Sequence, residues 1–536
     1  MWNFAFASMA WGKPQSSSPT ETASELIAKA HNTGSLVVLP MRTFGGQEMV
    51  ALCDMLASNT TITELKASGK PIGAEGARAI GTLLASTDCS LRRLAVGDTN
   101  FGNEGGLHEM RVMLQNSQCS LHALDMSFKG LQASDAEDLA AVVGRCTELR
   151  ELDLSRNSLG TRGLSKPLAA AASASESLAE LVLSEADLDA TAISAIVDAS
   201  AGGQLRALHT LHASHNPRIG DASELGRLLA MLPSLRELHL KGCGLGAAAA
   251  SALGTALGTA SHLRELKVDD NPMLLVVGTE GTETGDGNAG ANAVATASAV
   301  AAGHNEADGE LPGSFIQSSI PSRAAYEASL SLPRAQRLAA ERSAASLATN
   351  LKHSPHNMPS APSFIAGLAA CNSLQVVSMG GCGMNNSAAE ELRRASSLTS
   401  SSPHLTRLDC RSSMLGAEGT SALFRIQGLV HLELFDNPAI GRESEGLEGS
   451  ASRRSLSNGL SAATTLRHLD LGACALSATT FGTLSTALQV GGAASLRCLE
   501  LFGNGDQHSV PAWKQALDAL REARPDLDVA WKEPAN

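Results

Sequence analysis

The feature that most constrains this chain is a leucine spacing that recurs along it. In CTELRELDLSRNSLGTRGL, residues 146–164, Leu149, Leu152, Leu154 and Leu159 are joined by an asparagine, Asn157. Steps of three, two and five match neither a helical stripe nor strict strand alternation. Leu152 and Leu154 stand two apart, so a short strand turns both to one side. Asn157 falls where the chain leaves that strand, and its amide suits backbone groups left unpaired in the turn. Leu159 then closes the inner layer. The next dozen residues, as in AEGARAIGTLLAS at 74–86, carry apolar side chains at helical spacing. A parallel strand needs a crossover of that length, usually a helix.

Aligned on its first position, the pattern starts nine times from Leu36 and Ile62 to Leu263, and five times from Leu374 to Leu496, most often 28–30 residues apart. Self-similarity at that period predicts a solenoid of about fourteen units, each packed on its neighbours. Such an array lets a chain of 536 residues grow one core lengthwise. Aromatic residues make up only 3% of the chain, with Tyr326 the single tyrosine, so leucine, alanine, valine and isoleucine must build the interior.

Eight residues past the ladder start stand Asn157, Asn216, Asn271, Asn437 and Asn504, and in other repeats Cys243, Cys382 and Cys474. Asparagine and cysteine are the alternatives this repeat type allows there. Cys89, Cys119, Cys146 and Cys371 fall in the helix-to-strand turn, and there is no CxxC. The placement predicts reduced structural thiols and no disulfide framework.

The stretches LRELDLSRNSLG, LRELHLKGCGLG and LRHLDLGACALS resemble leucine-rich repeats of the long, ribonuclease-inhibitor-like subtype, shared with Ran GTPase-activating proteins and NOD-like receptors. The resemblance covers about 34–275 and 363–531. It implies an α/β leucine-rich-repeat solenoid, a horseshoe with its parallel sheet concave and its helices convex. The expected organisation is a flexible tail at 1–19, repeats at 20–275, a low-complexity, mostly disordered insertion at 276–362, and repeats to the end at 363–536, all one continuous domain. TETASELIAKAHN at 20–32 reads as an entry helix, and residues 512–531 as a last helix with a closing strand. RESEGLEGSASRRSLSN at 442–458 reads as a smaller insertion into the twelfth repeat. Within the large insertion, acidic residues gather before 311, and PRAQRLAAERSAASLATNL at 333–351 has helical character.

Composition excludes several functions. The net charge of −13 offers no basic face to phosphates, which argues against a nucleic-acid or anionic-membrane binder and leaves basic partners open. No apolar run reaches the roughly 18 residues that cross a bilayer. The apolar start MWNFAFASMAWGKP has no basic residue before Lys13 and is short for a secretory signal, so the expected location is the cytoplasm, with cytoskeletal or ciliary placement left open.

Catalytic patterns are sparse. GxxxxGK[ST], GxSxG and HExxH do not occur, so no P-loop receptor is complete within the chain. GDGNAG at 285–290 satisfies GxGxxG without a preceding strand. His209, His212 and His215 step by three and scatter around an extended chain. His212 and His239 share a ladder position on adjacent strands, but two imidazoles without a third ligand make a poor zinc site. No cofactor or metal is expected. Ser396, in LRRASSL, follows Arg393 and Arg394 as basophilic kinases prefer, on what also reads as a helix end carrying favourable cations.

Function in such a fold lies in side chains pointing off the strands. In the last three repeats these include His431, Glu433 and Phe435, then His468, Asp470 and Gly472, then Cys498, Glu500 and Phe502. The three carboxylates stack on adjacent strands, and Gly472 leaves space between the two phenylalanines. A groove for a basic segment with an apolar anchor is the expectation. A second column, Glu151, Glu180, Glu237 and Glu265, is interleaved with His239, Lys241 and Lys267 and reads as a neutralised surface. The leading function is a non-enzymatic interaction scaffold with a protein partner, its oligomeric state open. The resemblance also implies two alternatives. One is a GTPase activator using a loop asparagine such as Asn157, although the next repeat offers Glu185 and Ala186 there. The other is an inhibitor that wraps a basic enzyme.

Overall fold

A computed structural model describes residues 22–39, 42–201, 204–220, 222–275, 362–398, 404–444, 449–505 and 508–532. The tail at 1–19, the glycine pattern at 285–290 and the helix read at 333–351 lie outside these described residues.

Fifteen short strands form a parallel sheet in chain order. They are Ser35–Val37 (β1), Glu64–Ser68 (β2), Arg93–Gly97 (β3), Ala123–Asp125 (β4), Glu151–Asp153 (β5), Glu180–Val182 (β6), Thr210–His212 (β7), Glu237–His239 (β8), Glu265–Lys267 (β9), Val376–Ser378 (β10), Arg407–Asp409 (β11), His431–Glu433 (β12), His468–Asp470 (β13), Cys498–Glu500 (β14) and Asp528–Ala530 (β15). Sixteen α-helices are found among the described residues, and the sheet strands are joined through them as an α/β leucine-rich-repeat solenoid requires. The described residues divide into two compact units, one falling within Met1–Val268 and Ala370–Val377 and the other within Asp269–Ala369 and Ser378–Asn536.

In the first unit the strand centres pair leucine on leucine: Leu65 with Leu94, Leu124 with Leu152, Leu211 with Leu238. All are essentially buried. A buried leucine stabilises by about 2 kcal/mol over an exposed one, and the two-residue strand period repeats that gain in every unit. Consecutive helices pack side by side as the second layer. The entry helix, Ala23–Ala30, begins with a capping box in which Thr22 Oγ1 accepts from Glu25 N and Glu25 Oε2 accepts from Thr22 N.

One expected register was wrong. Leu36 pairs with Leu65, at the centre of β2, and so sits at a strand centre and not at a ladder start. The true start of the first repeat is Thr33, which is exposed. The first repeat has no repeat before it to bury that position, so a polar residue stands there.

In the second unit the same rule gives Leu408 on Leu432, Leu432 on Leu469 and Leu469 on Leu499. Twelve of the fourteen expected ladder starts are buried; Leu36 is buried as a strand centre, and Leu405 is only half-buried. The long twelfth repeat accommodates two helices, Ala439–Arg442 and Gly449–Ala462. The helix Val510–Ala523 and strand β15 end the second unit, with Trp513 fully buried and stacked on Phe481.

The asparagines tie repeats together. Asn157 Oδ1 accepts from Lys129 N and Leu131 N of the preceding repeat, while Nδ2 donates to Met126 O, Leu154 O and Ser155 O. Asn216 and Asn504 do the same work one repeat back. Where cysteine replaces asparagine, the thiol reaches back in the same direction: Cys243 Sγ donates to Ala213 O and Cys474 Sγ to Leu434 O. The residue before this position is left-handed, with φ of 57° at Arg156 and 58° at His215, a geometry costing a non-glycine residue about 1 kcal/mol. Gly242, ahead of Cys243, takes φ of 62° without that cost. All ten cysteines are free.

Asn157→Ala should therefore destabilise by about 3 kcal/mol or more, because two buried amides and several carbonyls lose partners. Cys243→Ala should cost about 1 kcal/mol, since a thiol's hydrogen bonds are weak and the void is small. Urea denaturation of both variants checks the order, and equal losses would contradict the tie between repeats.

Candidate functional site

Side chains that leave the strands away from the helices form the candidate surface, considered unit by unit. In the second unit His431 and His468 are paired in register and their rings stack at 4.0 Å, 6° from parallel. The expected column Glu433, Asp470 and Glu500 is present on adjacent strands. Each carboxylate has a local donor, however. Glu433 lies 2.9 Å from His431 Nε2, 2.6 Å from Arg407 Nη2 and 2.9 Å from Arg411 Nη2. The His431 hydrogen bond, with Arg411 and Arg407, holds Glu433 down to about 2. Arg411 also pairs with the buried Asp409. Asp470 accepts from Gly472 N at 2.7 Å, and Glu500 lies 3.4 Å from His468 Nε2. Burial, then the neighbouring His431, lowers His468.

Gly472 leaves no open slot. A Cβ there would stand 2.7 Å from the Phe435 ring, which lies over the glycine and is almost wholly buried. Phe502 is half-buried. Ser396 sits half-exposed in the helix Asn386–Leu398, on a different element from the strand residues.

In the first unit the acids are less evenly matched. Asp125 and Asp153 are register partners, as are Glu151 and Glu180, and these four line a shallow groove on β4–β6. Glu151 is engaged by Arg93 at 2.5 Å. Burial first, then the charge of Asp125, pushes Asp153 up to about 6. Burial, then Glu151, raises Glu180. Burial lowers the Lys129 amine, whose Nζ stands 3.3 Å from Ser68 Oγ, while the charges of Asp125 and Asp153 oppose that shift. Of the column expected to be neutralised, Glu265 fits: His239 Nε2 stands 2.9 Å away and Lys267 Nζ 2.5 Å away, holding it down to about 2. Glu180 makes no ion pair among the described residues. Farther along, His212 and His239 stack at 4.0 Å, and burial pushes His212 down to about 4. His209 and His215 do not join them: His209 Nδ1 meets Thr210 Oγ1, and His215 sits in the turn at φ 58°.

Known sequences agree with this architecture. The family pattern described as Leucine Rich repeat matches residues 145–166 and 232–254. The ribonuclease inhibitor of Sus scrofa is 27% identical over 253 residues, covering 41% of this chain and 54% of that protein. The ribonuclease inhibitor of Mus musculus is 27% identical over 258 residues, covering 43% and 55%. NACHT, LRR and PYD domains-containing protein 5 of Bos taurus is 30% identical over 198 residues, covering 37% of this chain and 18% of its own. This is a leucine-rich-repeat protein of the ribonuclease-inhibitor-like type. The chain spans about half the length of the curated ribonuclease inhibitors it matches.

Within this leucine-rich-repeat protein, Asn157 is buried and both ends of its amide are committed to the turn. It is thus not presented as a loop side chain. Asp125 and Asp153 were missed from the sequence, although they hold the fifth ladder position of consecutive repeats, in LDM and LDL. The same position rule used on the last repeats would have found them. No described helix is long and apolar enough to cross a membrane.

Asp153 also sets a pH dependence. Its carboxyl rises from an ordinary 3.8 to about 6 on folding, so the folded chain holds a proton that the unfolded chain has released. Its favourable contribution is complete below pH 4 and disappears as pH climbs through 6. The two-unit difference corresponds to at most about 3 kcal/mol. Asp153→Asn, which keeps an acceptor for Ser155, should remove that slope between pH 4 and 7. Urea unfolding of both proteins across that range measures it, and parallel curves would contradict the assignment.

Proposed function

We propose that this chain is a non-enzymatic interaction scaffold that receives a basic segment of a protein partner on the open face of its sheet. The observation that carries this reading is the groove on β4–β6, where Asp125, Asp153 and Glu180 crowd with too little positive charge. A carboxyl raised by burial and by its neighbours is one that an incoming lysine or arginine would stabilise in the ionised form. The strip His431, Glu433, Phe435, His468, Asp470, Glu500 and Phe502 belongs to the same proposal in the second unit. Its carboxylates are already hydrogen-bonded, so it would contribute shape and the half-buried Phe502 ring more than net charge.

The likeness to ribonuclease inhibitors supports a second reading, in which the partner is a basic enzyme and binding blocks its active site. Both readings predict binding of basic protein; only the second predicts lost catalysis.

A fluorescent nona-arginine peptide, followed by anisotropy at low salt, tests the basic-segment reading. Asp125→Lys with Glu180→Lys should weaken binding at least about tenfold, since like charge across an interface is strongly unfavourable. Asp54→Lys, exposed on the helix Gly46–Leu56, should change it by less than about twofold. Equal effects from both variants would overturn the groove. Adding a pancreatic-type ribonuclease separates the two readings, because the inhibitor reading requires its activity to fall on binding.

A further inference from the structure

Two groups of three side chains among the described residues bring one metal-binding atom each to within 4.8 Å of the others. They are His212, Glu237 and His239 on β7 and β8, and His468, Cys498 and Glu500 on β13 and β14. We propose that the first group is a binding site for a divalent ion of the zinc class, independent of the basic-segment reading.

The sheet itself assembles the donors. His212 and His239 are register partners on neighbouring parallel strands, and Glu237 precedes His239 by two residues, so it emerges on the same face. Such strands run about 4.8 Å apart, which sets the separation of the donors before any side chain rotates. Two imidazoles and a carboxylate form a donor set that zinc accepts, with bonds near 2.0–2.2 Å. Closing onto an ion therefore needs the two rings, now stacked, to fan apart about their side-chain torsions while the backbone stays in place.

Three features single out this group. His212 Nε2 is buried and has no hydrogen-bond partner. A buried polar atom in that state is unfavourable, and a metal bond would satisfy it. The Glu237 side chain makes no hydrogen bond or ion pair with other described residues, its backbone N–H donating to His209 O, so its carboxylate is available. His239 already has the outer partner that metal-bound histidines use: its Nε2 stands 2.9 Å from Glu265 Oε1, leaving Nδ1 as the coordinating atom. Lys267, 2.5 Å from the same oxygen, fixes Glu265 in turn. The sequence showed the two histidines but not the third ligand, because Glu237 joins them only through the strand register. In the second group the carboxylate is turned toward its own histidine, with His468 Nε2 3.4 Å from Glu500 Oε1, which makes it the weaker candidate. Three protein ligands at the first site leave a fourth position for water or for a side chain brought by a partner.

The test uses the full chain, reduced with a non-thiol reductant, titrated with zinc against a chromophoric chelator and with cobalt(II) as a spectroscopic probe. One zinc per chain is expected at this site. His212→Gln and Glu237→Gln should each weaken it at least about a hundredfold, and Glu265→Gln about ten- to a hundredfold through orientation of His239. His468→Gln should leave it within about twofold. Cobalt should show tetrahedral visible bands without a thiolate charge-transfer band, since no cysteine is a ligand. Glu237 is half-exposed, so Glu237→Gln tests the site even if His212→Gln fails to fold. The proposal is overturned if no zinc binds at micromolar concentration, if Glu237→Gln binds as tightly as the parent, or if a thiolate band appears that Cys498→Ser abolishes.

Discussion

A turn that leaves this sheet carries buried backbone donors and acceptors that it cannot pair alone. In the repeats of Asn157, Asn216, Asn437 and Asn504 one side chain meets that need, placed so that it reaches the repeat before it. Asn157 shows the full form: its oxygen takes two amides of the preceding turn while its nitrogen serves carbonyls of both turns. The hydrophobic ladder supplies most of the free energy, but leucine has no direction. The amide supplies direction, and with it the register that stacks Leu124 on Leu152 at Asn157 and Leu181 on Leu211 at Asn216.

Fixed register has a consequence for chemistry. Once leucines are in line beneath the sheet, the residues between them are in line above it, strand after strand. Like residues therefore meet like: Asp125 beside Asp153, Glu151 beside Glu180, His212 beside His239, His431 beside His468. Burial and then the facing carboxylate raise Asp153 and Glu180, and burial with a stacked imidazole lowers His212 and His468. Where arginine comes from a neighbouring strand, as with Arg407 and Arg411 at Glu433, the conflict is removed. Where it does not, at Asp153 and Glu180, the surface keeps a demand for positive charge. A fold that needs no catalytic group for its own stability thus presents chemically biased strips to partners.

Much of this was legible in the sequence because it is periodic and local. The strand leucines, the asparagine or cysteine eight residues beyond eight of the starts, and the terminal helix with its strand all follow from spacing. In the first repeat Thr33 is polar at a position filled elsewhere by leucine or isoleucine, so the spacing points to Leu36 in its place. Charge compensation was less legible for a different reason. Arg407 and Glu433 are 26 residues apart in sequence, and whether their side chains meet depends on rotamers as well as register. The covering of Gly472 by Phe435 is of the same kind. Asp125, Asp153 and Glu237 were legible in principle, since they obey the ladder rule already in hand.

Buried side-chain ties hold consecutive turns in register, and amide hydrogen exchange measures those ties directly. Peptides covering 126–131 and 183–188, which hold amides bonded to Asn157 and Asn216, should exchange as slowly as the strands they follow. If those turns exchanged as fast as exposed surface loops while the strands stayed protected, the asparagines would not be holding the repeats in register.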